Sequence, residues 1–401
     1  MNLKKLIKKL TWPDRKVTWG IVIFVLAVLA LFWRLSSITN NKLSINEIAT
    51  KHNLYIYSPW WKSLNYISGP YYLLLHATFK INHSVFDLRL ASVLVGLISI
   101  MLVYWLITEW HGYKIAVLAT AIYLTNFGLL IVSRQAILYS SDLLVPIALM
   151  FVITLLNRDK SFKNLIILIV VISGSLYIPG GLWLVITALI ISNSVIRNAF
   201  KQLNINKKII LITLNILLIL PLAYRLIVHF SEHQLVIWLG YGLNTKLSAI
   251  SIFVKNIADN FLDLFIHSVN LSPTLSLGHL PIMPVAESLI GLIGIIFYVR
   301  HVSNWRWRNW LIMTAILLIV SGFGEISVFS LLPLISISIG TGLAYLLKEW
   351  YSVFPFNPFA RYTGYILMTL VVAFSCFYSA RSYYVAWAND PSSASQYIYK
   401  P

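Results

Sequence analysis

What constrains this chain most is a series of apolar runs, each near the length of a membrane crossing, that follow one another from residue 18 to residue 380. A helix needs about 20 mostly apolar residues to cross the hydrocarbon core. The segments that fit are 18–36, 88–108, 115–133, 141–156, 164–178, 181–196, 209–229, 286–300, 310–324, 327–347 and 362–380. Charge is scarce to match: 11% of the 401 residues are charged and 59% are hydrophobic, with a mean hydropathy of +0.79. A water-soluble domain carries about a quarter charged residues, so a solvated surface of ordinary size cannot be built from this composition. The expected fold is an all-α polytopic membrane bundle of about eleven transmembrane helices. Pro179-Gly180-Gly181 stops a helix, so 164–178 and 181–196 are expected to form a tight hairpin rather than one long helix.

The formal net charge is +18. A nucleic-acid binder gathers Lys and Arg on one face of a polar domain, and no such domain exists here, so nucleic acid is excluded as a partner. The charge instead sets orientation. With the N-terminus inside, most of the 31 basic residues fall in the inner segments, among them Lys4, Lys9, Arg158, Lys160, Arg197, Lys208, Arg306 and Lys348. Most of the 13 acidic residues fall on the other side. Residues 1–17 then form a basic cytoplasmic N-terminus. The domain 18–380 carries two long outer loops, 37–87 and 230–285, and 381–401 is a short external tail. The first apolar run lacks a small-residue cleavage site and reads as a retained helix. A plasma (inner) membrane location follows as an expectation. The single Cys376 allows no internal disulfide and no Cys-based metal site.

The first outer loop is rich in aromatic residues, including Trp60 and Trp61, which suits the headgroup level. In the second, Ser248, Ser251, Lys255, Asp259, Asp263 and His267 recur at helical spacing across 246–267. Leu247, Ile250, Phe253, Val254, Ile257, Phe261, Leu264 and Phe265 fill the other face. That pattern predicts an amphipathic helix, lying in the interface or packed on the bundle.

Ionisable groups at a membrane boundary are costly and mark candidate sites. On the outer side these are Glu47, Asp87, Arg89, Arg134, Asp142, Arg225, Glu232, Asp259, Asp263, Glu287 and Glu325. Glu47 follows the first span, Asp142 opens the fourth, and Arg134 ends the third. One or two carboxylates with an arginine suit a transfer from a phosphate-bearing donor. The carboxylate takes the acceptor's proton and the arginine holds the departing phosphate. For each residue taken singly, the alternative is an ordinary cap or ion pair. There is no H-E-x-x-H, G-x-S-x-G or P-loop pattern. His229 and His233 share a helical i, i+4 spacing, more often a hydrogen-bonding pair than a metal site, and no metal ligands are assigned.

The order of motifs from Ile45 to Leu155 resembles the polyprenyl-phosphate-sugar-dependent glycosyltransferases of the GT-C fold, which include protein O-mannosyltransferases and aminoarabinose transferases. The matching elements are Asn46-Glu47 for an Asp-Glu pair and Gly69-Pro70-Tyr71-Tyr72 for a Pro-Tyr-Tyr element. Arg89-Leu90 with Gly96 and Tyr104, His111-Gly112, Ser133-Arg134-Gln135-Ala136 and Asp142 follow in order. Later, Tyr177-Ile178-Pro179-Gly180, Gly278-His279-Leu280-Pro281 and Leu331-Leu332-Pro333-Leu334 are similar to that group's hairpin, second outer loop and late span.

The resemblance implies an inverting glycosyltransferase that moves a sugar from a polyprenyl-phosphate donor to a lipid, glycan or protein acceptor at the outer face. It implies Glu47 as general base, since an amide at Asn46 accepts no proton usefully. Asp142 would orient acceptor or metal, and Arg134 and Arg89 would hold the donor phosphate. Asn46, Tyr71, Tyr72 and His279 would face the acceptor from the loops. A divalent metal ion is admitted but not required. The rival readings are a transporter or flippase for lipid-linked saccharides, a polymerase or ligase of them, and a catalytically silent GT-C relative.

Overall fold

In the computed structural model, residues 15–56, 63, 67–228, 232–240, 248–269 and 271–399 are described. The basic stretch 1–14, Trp60, Trp61, Leu247 and His229 lie outside them, as do the side chains of Glu232, His233 and Ser248.

The chain is helical almost throughout. In order the helices are α1 (Arg15–Phe32), α2 (Ile45–Ile56), α3 (Gly69–Phe79), α4 (Val85–His111), α5 (Tyr113–Thr125), α6 (Phe127–Ser133) and α7 (Tyr139–Arg158). There follow α8 (Phe162–Ser175), α9 (Gly181–Lys201), α10 (Ile205–Val228), α11 (Glu232–Trp238) and α12 (Ser248–Phe265). The series closes with α13 (Val285–Arg300), α14 (Trp305–Ser321), α15 (Leu332–Val353), α16 (Pro358–Arg381) and α17 (Pro391–Ser395). Among the described residues the only strand pairing is a short antiparallel ladder between β1 (Leu43–Ser44) and β2 (Tyr397–Tyr399).

The protein is polytopic, but the expected count of eleven crossings is not reproduced. Among the described residues, seven helices are long and apolar enough to cross a membrane, or up to nine if each of two bent pairs is one span. The reason is local. The run 115–133 breaks between α5 and α6 with a bend of 61°. There Asn126 leaves the helix and its side chain caps the N–H groups of Gly128 and Leu129. A turn before Asn304, which caps Arg306, folds α14 back on α13 by 118°. Helix α8 has only 14 residues.

Burial orders the bundle. In the apolar windows of α15 and α7, 83% and 78% of residues are buried, against 11% for α10 and 22% for α1 and α16. The first two therefore form the centre, and the others present apolar side chains such as Ile216, Leu217 and Phe374 outward to lipid. Helices α13 and α15 touch backbone to backbone. A Cβ on Gly294 would come within 1.9 Å of the Ser338 carbonyl oxygen, and one on Gly342 within 2.1 Å of the Ile290 carbonyl oxygen.

The predicted amphipathic helix is α12, but its polar stripe is not turned wholly to water. Asp259 and Asp263 are buried, Asn256 donates to the Gly322 carbonyl and Asn260 to the Ser321 hydroxyl. Ile250, Val254 and Phe261 are exposed instead. Packing against the end of α14 reverses the orientation expected for part of the stripe. The C-terminal segment also folds back. Ser393 donates to the Pro273 carbonyl at 3.1 Å, and Tyr383 stacks on Trp387 with ring centroids 5.2 Å apart.

Candidate active site

One cavity gathers ionisable groups from distant parts of the sequence. It lies at the end of the bundle where α7 begins and encloses about 420 Å³. Asp142 and Tyr139 come from the first turn of α7, Arg225 from the last turn of α10, and Glu325 from the loop after α14. Asn53 of α2, with Ser68 and Tyr72 at the start of α3, complete its polar wall.

The Asp142 carboxylate is buried, and among the described residues its one hydrogen bond comes from the Ser327 N–H at 3.4 Å. Asn53 donates to the Tyr72 hydroxyl at 3.1 Å. Burial raises the Tyr72 hydroxyl above its ordinary pKa, and the Asn53 hydrogen bond opposes that shift. The phenol therefore stays protonated at neutral pH.

The hairpin between α8 and α9 shapes the wall. Gly180 has φ of +65°, and a Cβ there would come within 2.7 Å of the side chains of Ile326 and Val320. Only glycine combines that conformation with so close an approach. The N–H of Gly180 bonds to the Trp238 carbonyl at 2.9 Å, and the Trp238 indole donates to the Leu176 carbonyl at 2.8 Å. These bonds seat α11 on the hairpin and bring Ile237 to the cavity rim.

Next to the cavity runs an apolar groove of about 300 Å³ between α3, α4, α7 and α8, walled by Leu74, Val95, Ile98, Leu144, Val145 and Val171. The two share Ser68, and they meet again where Tyr71 and Ser141 adjoin Tyr72 and Asp142.

No family model matches the chain, and no curated protein matches it by sequence. Solved structures do match in shape. The oligosaccharyltransferase of Archaeoglobus fulgidus in its apo form superposes with a TM-score of 0.54 at 12% identity, covering 92% of this chain and 56% of that one. The same organism's AglB, in complex with an inhibitory peptide and a dolichol-phosphate, gives 0.54 at 11%, covering 92% and 56%. ArnT from Cupriavidus metallidurans, bound to undecaprenyl phosphate, gives 0.54 at 13%, covering 95% and 74%. The chain has the GT-C-like fold. It spans little more than half the length of the archaeal enzyme.

Within the GT-C-like frame, the residues expected from sequence do not meet in one place. Asp142 and Tyr72 reach the cavity. Glu47 and Arg89 reach each other. Arg89 Nε lies 2.7 Å from Glu47 Oε1 and Nη2 lies 3.0 Å from Oε2. The remaining Arg89 donors go to the carbonyls of Leu35 and Lys42 and the hydroxyl of Thr39, at 2.9, 3.0 and 3.0 Å. A guanidinium has five N–H donors, so none is left over for a phosphate. Glu47 also accepts from the N–H groups of Ser44 and Ala136, at 3.0 and 3.1 Å, which fills its lone pairs.

Arg134 is buried beneath Tyr383 and Tyr384, 5.0 Å from each ring. Its Nε donates to the Leu31 carbonyl at 3.1 Å and its Nη2 to that of Trp33, so it caps the end of α1. Tyr71 is buried with its hydroxyl 2.7 Å from that of Ser92. Asn46 is exposed, and its backbone carbonyl accepts from Thr50. His279 is exposed in the second long loop, with its ring 3.4 Å from the Ser268 carbonyl.

Other acids expected on the outer side act as caps or buried acceptors. Asp87 closes a capping box with Ser84 at the start of α4. Glu287 accepts from Ser375 at 2.7 Å, Ser379 at 3.1 Å and Asn126 at 3.2 Å. Arg225 and Glu325 carried no motif in the sequence; their only signal was charge beside the end of an apolar run. A divalent metal would find only Asp142 and Glu325 in the cavity, and among the described residues no group of three His, Cys, Asp or Glu could hold one. The described residues do not fit a resident metal.

Proposed function

We propose that this chain is a membrane glycosyltransferase that moves a sugar from a polyprenyl-phosphate donor to an acceptor hydroxyl at the outer face of the membrane. The observation that carries the reading is the cavity holding Asp142, Glu325 and Arg225 beside an apolar groove. A lipid-phosphate donor needs that pairing of a polar chamber and an apolar path.

In this reading Asp142, rather than Glu47, is the general base. It takes the proton of the acceptor hydroxyl as that oxygen attacks the anomeric carbon. The bond from the anomeric carbon to the phosphate oxygen breaks, and its electron pair leaves with the lipid phosphate. Arg225 neutralises that phosphate as its charge grows. Attack from the face opposite the phosphate inverts the anomeric centre. Glu325 orients the acceptor, Tyr72 and Asn53 position the sugar, and the groove takes the first isoprene units. The acceptor is a lipid, glycan or protein. The basic end of the bundle faces the cytoplasm of a plasma membrane, and the cavity faces out.

The test is release of free lipid phosphate from a labelled polyprenyl-phosphate sugar by the purified protein in liposomes with hydroxyl acceptors. Wild-type release that is lost in Asp142→Asn supports the assignment. Full release by that variant overturns the base role, and none by the wild type points to a catalytically silent relative.

A further inference from the structure

At the opposite end of the bundle from Asp142 lies a second cavity of about 660 Å³, between α1, α4 and α7. Its walls are apolar, formed by Ile21, Phe24, Met101, Leu102, Trp105 and Phe151, while its mouth carries Lys16, Arg158 and Glu109. We propose that this groove is a binding site for an anionic phospholipid, with the headgroup phosphate between Lys16 and Arg158 and an acyl chain along the wall.

Three features support a lipid. The groove is built, not incidental: the Tyr104 hydroxyl donates to the Lys16 carbonyl at 2.7 Å, and Trp105 packs edge-on against Phe151 at 4.6 Å between centroids. Gly20 keeps the floor low, since a Cβ there would come within 3.1 Å of the Tyr104 ring. The charges are graded along the axis, polar at the helix ends and apolar toward the middle, as a phospholipid is.

Charge complementarity favours an anionic lipid over a zwitterionic one. Arg158 Nη1 and Glu109 Oε2 are 3.2 Å apart, and the Arg158 side chain is still 62% exposed. That pair is close to neutral as a unit, so Lys16 leaves the mouth with a net positive charge. This end also carries the basic loops, which attract anionic lipid to the same leaflet. The site stands apart from the proposed transfer reaction and makes no use of Asp142.

The experiment is native mass spectrometry of the full chain in mild detergent, titrated separately with phosphatidylglycerol, phosphatidylcholine and phosphatidylethanolamine. Phosphatidylglycerol should be retained in preference, and Lys16→Gln/Arg158→Gln should weaken it by about tenfold or more. Phosphatidylglycerol with a photoreactive acyl chain should crosslink to peptides containing Phe24, Met101 or Phe151. Equal retention of the three lipids, crosslinks elsewhere, or full displacement by excess glycerol phosphate would each overturn the proposal. The last outcome would mark a free-phosphate site. Lipid retention is read without any transfer assay, so its failure and that of the transferase reading are distinguishable.

Discussion

Arg89 Nε and Glu47 Oε1 meet at 2.7 Å across 42 residues of sequence, with both side chains shut away from solvent. The pair ties the first loop helix to the start of α4, and through Ala136 to the segment that leads into α7. The Glu47 carboxylate thereby holds three segments together.

Breaking the pair on one side leaves a buried charge alone. Glu47→Gln and Arg89→Met are each expected to lower stability by about 3–5 kcal/mol, read as an earlier thermal unfolding midpoint in detergent. The double variant Glu47→Leu/Arg89→Met should recover much of that loss. A Glu47→Gln protein that melts with the wild type but transfers no sugar would instead return Glu47 to the chemistry.

Asp142 and Arg225 should separate kinetically. Loss of a general base costs about 10²–10⁴-fold in rate, so Asp142→Asn should lower kcat on that scale with a near-native melting curve. Arg225→Gln should act first on donor KM, since it removes a phosphate contact present before the reaction begins. Steady-state kinetics with varied donor distinguish the two.

Close backbone contact makes α13 and α15 intolerant of one extra carbon. Gly294→Ala or Gly342→Ala would place a methyl about 2 Å from a carbonyl oxygen, and overpacking of this kind costs about 1–3 kcal/mol. Unchanged melting of both variants would contradict the close backbone contact between α13 and α15.

The C-terminal segment should behave as a clasp on both long loops. Removing residues 390–401 deletes the pairing with Leu43–Ser44 and the Ser393 bond to Pro273. Proteolysis around 43–56 should become faster, while cleavage between α8 and α9 should not change.

Orientation is testable with single cysteines on a Cys376→Ser background. Ser395→Cys and Lys160→Cys are both at exposed positions. An impermeant maleimide should label the first in intact cells and the second only after permeabilisation. The reverse pattern would invert the topology proposed from charge.

How much of this was legible beforehand depends on the range of the interaction involved. The sequence alone established a polytopic helical protein, because lipid demands that every backbone N–H and C=O bond within its own helix, and apolar runs of spanning length state that need locally. Local rules also accounted for the stop at Pro179-Gly180, whereas Asp87, a site candidate by its charge, closes a capping box with Ser84. Asn126 breaks its run by a side-chain cap that competes with an otherwise apolar pattern, so the bend there was not legible in the sequence. The site depended on tertiary structure. Glu47 and Asp142 both read as outer-rim acids, and only the folded chain supplies Arg89 and Ala136 to one and leaves the other on a cavity with Arg225 and Glu325. Whether a carboxylate is saturated or available is set largely by hydrogen-bond partners tens of residues or more away, as Arg89 and Ala136 are from Glu47, whose one local partner is the Ser44 N–H.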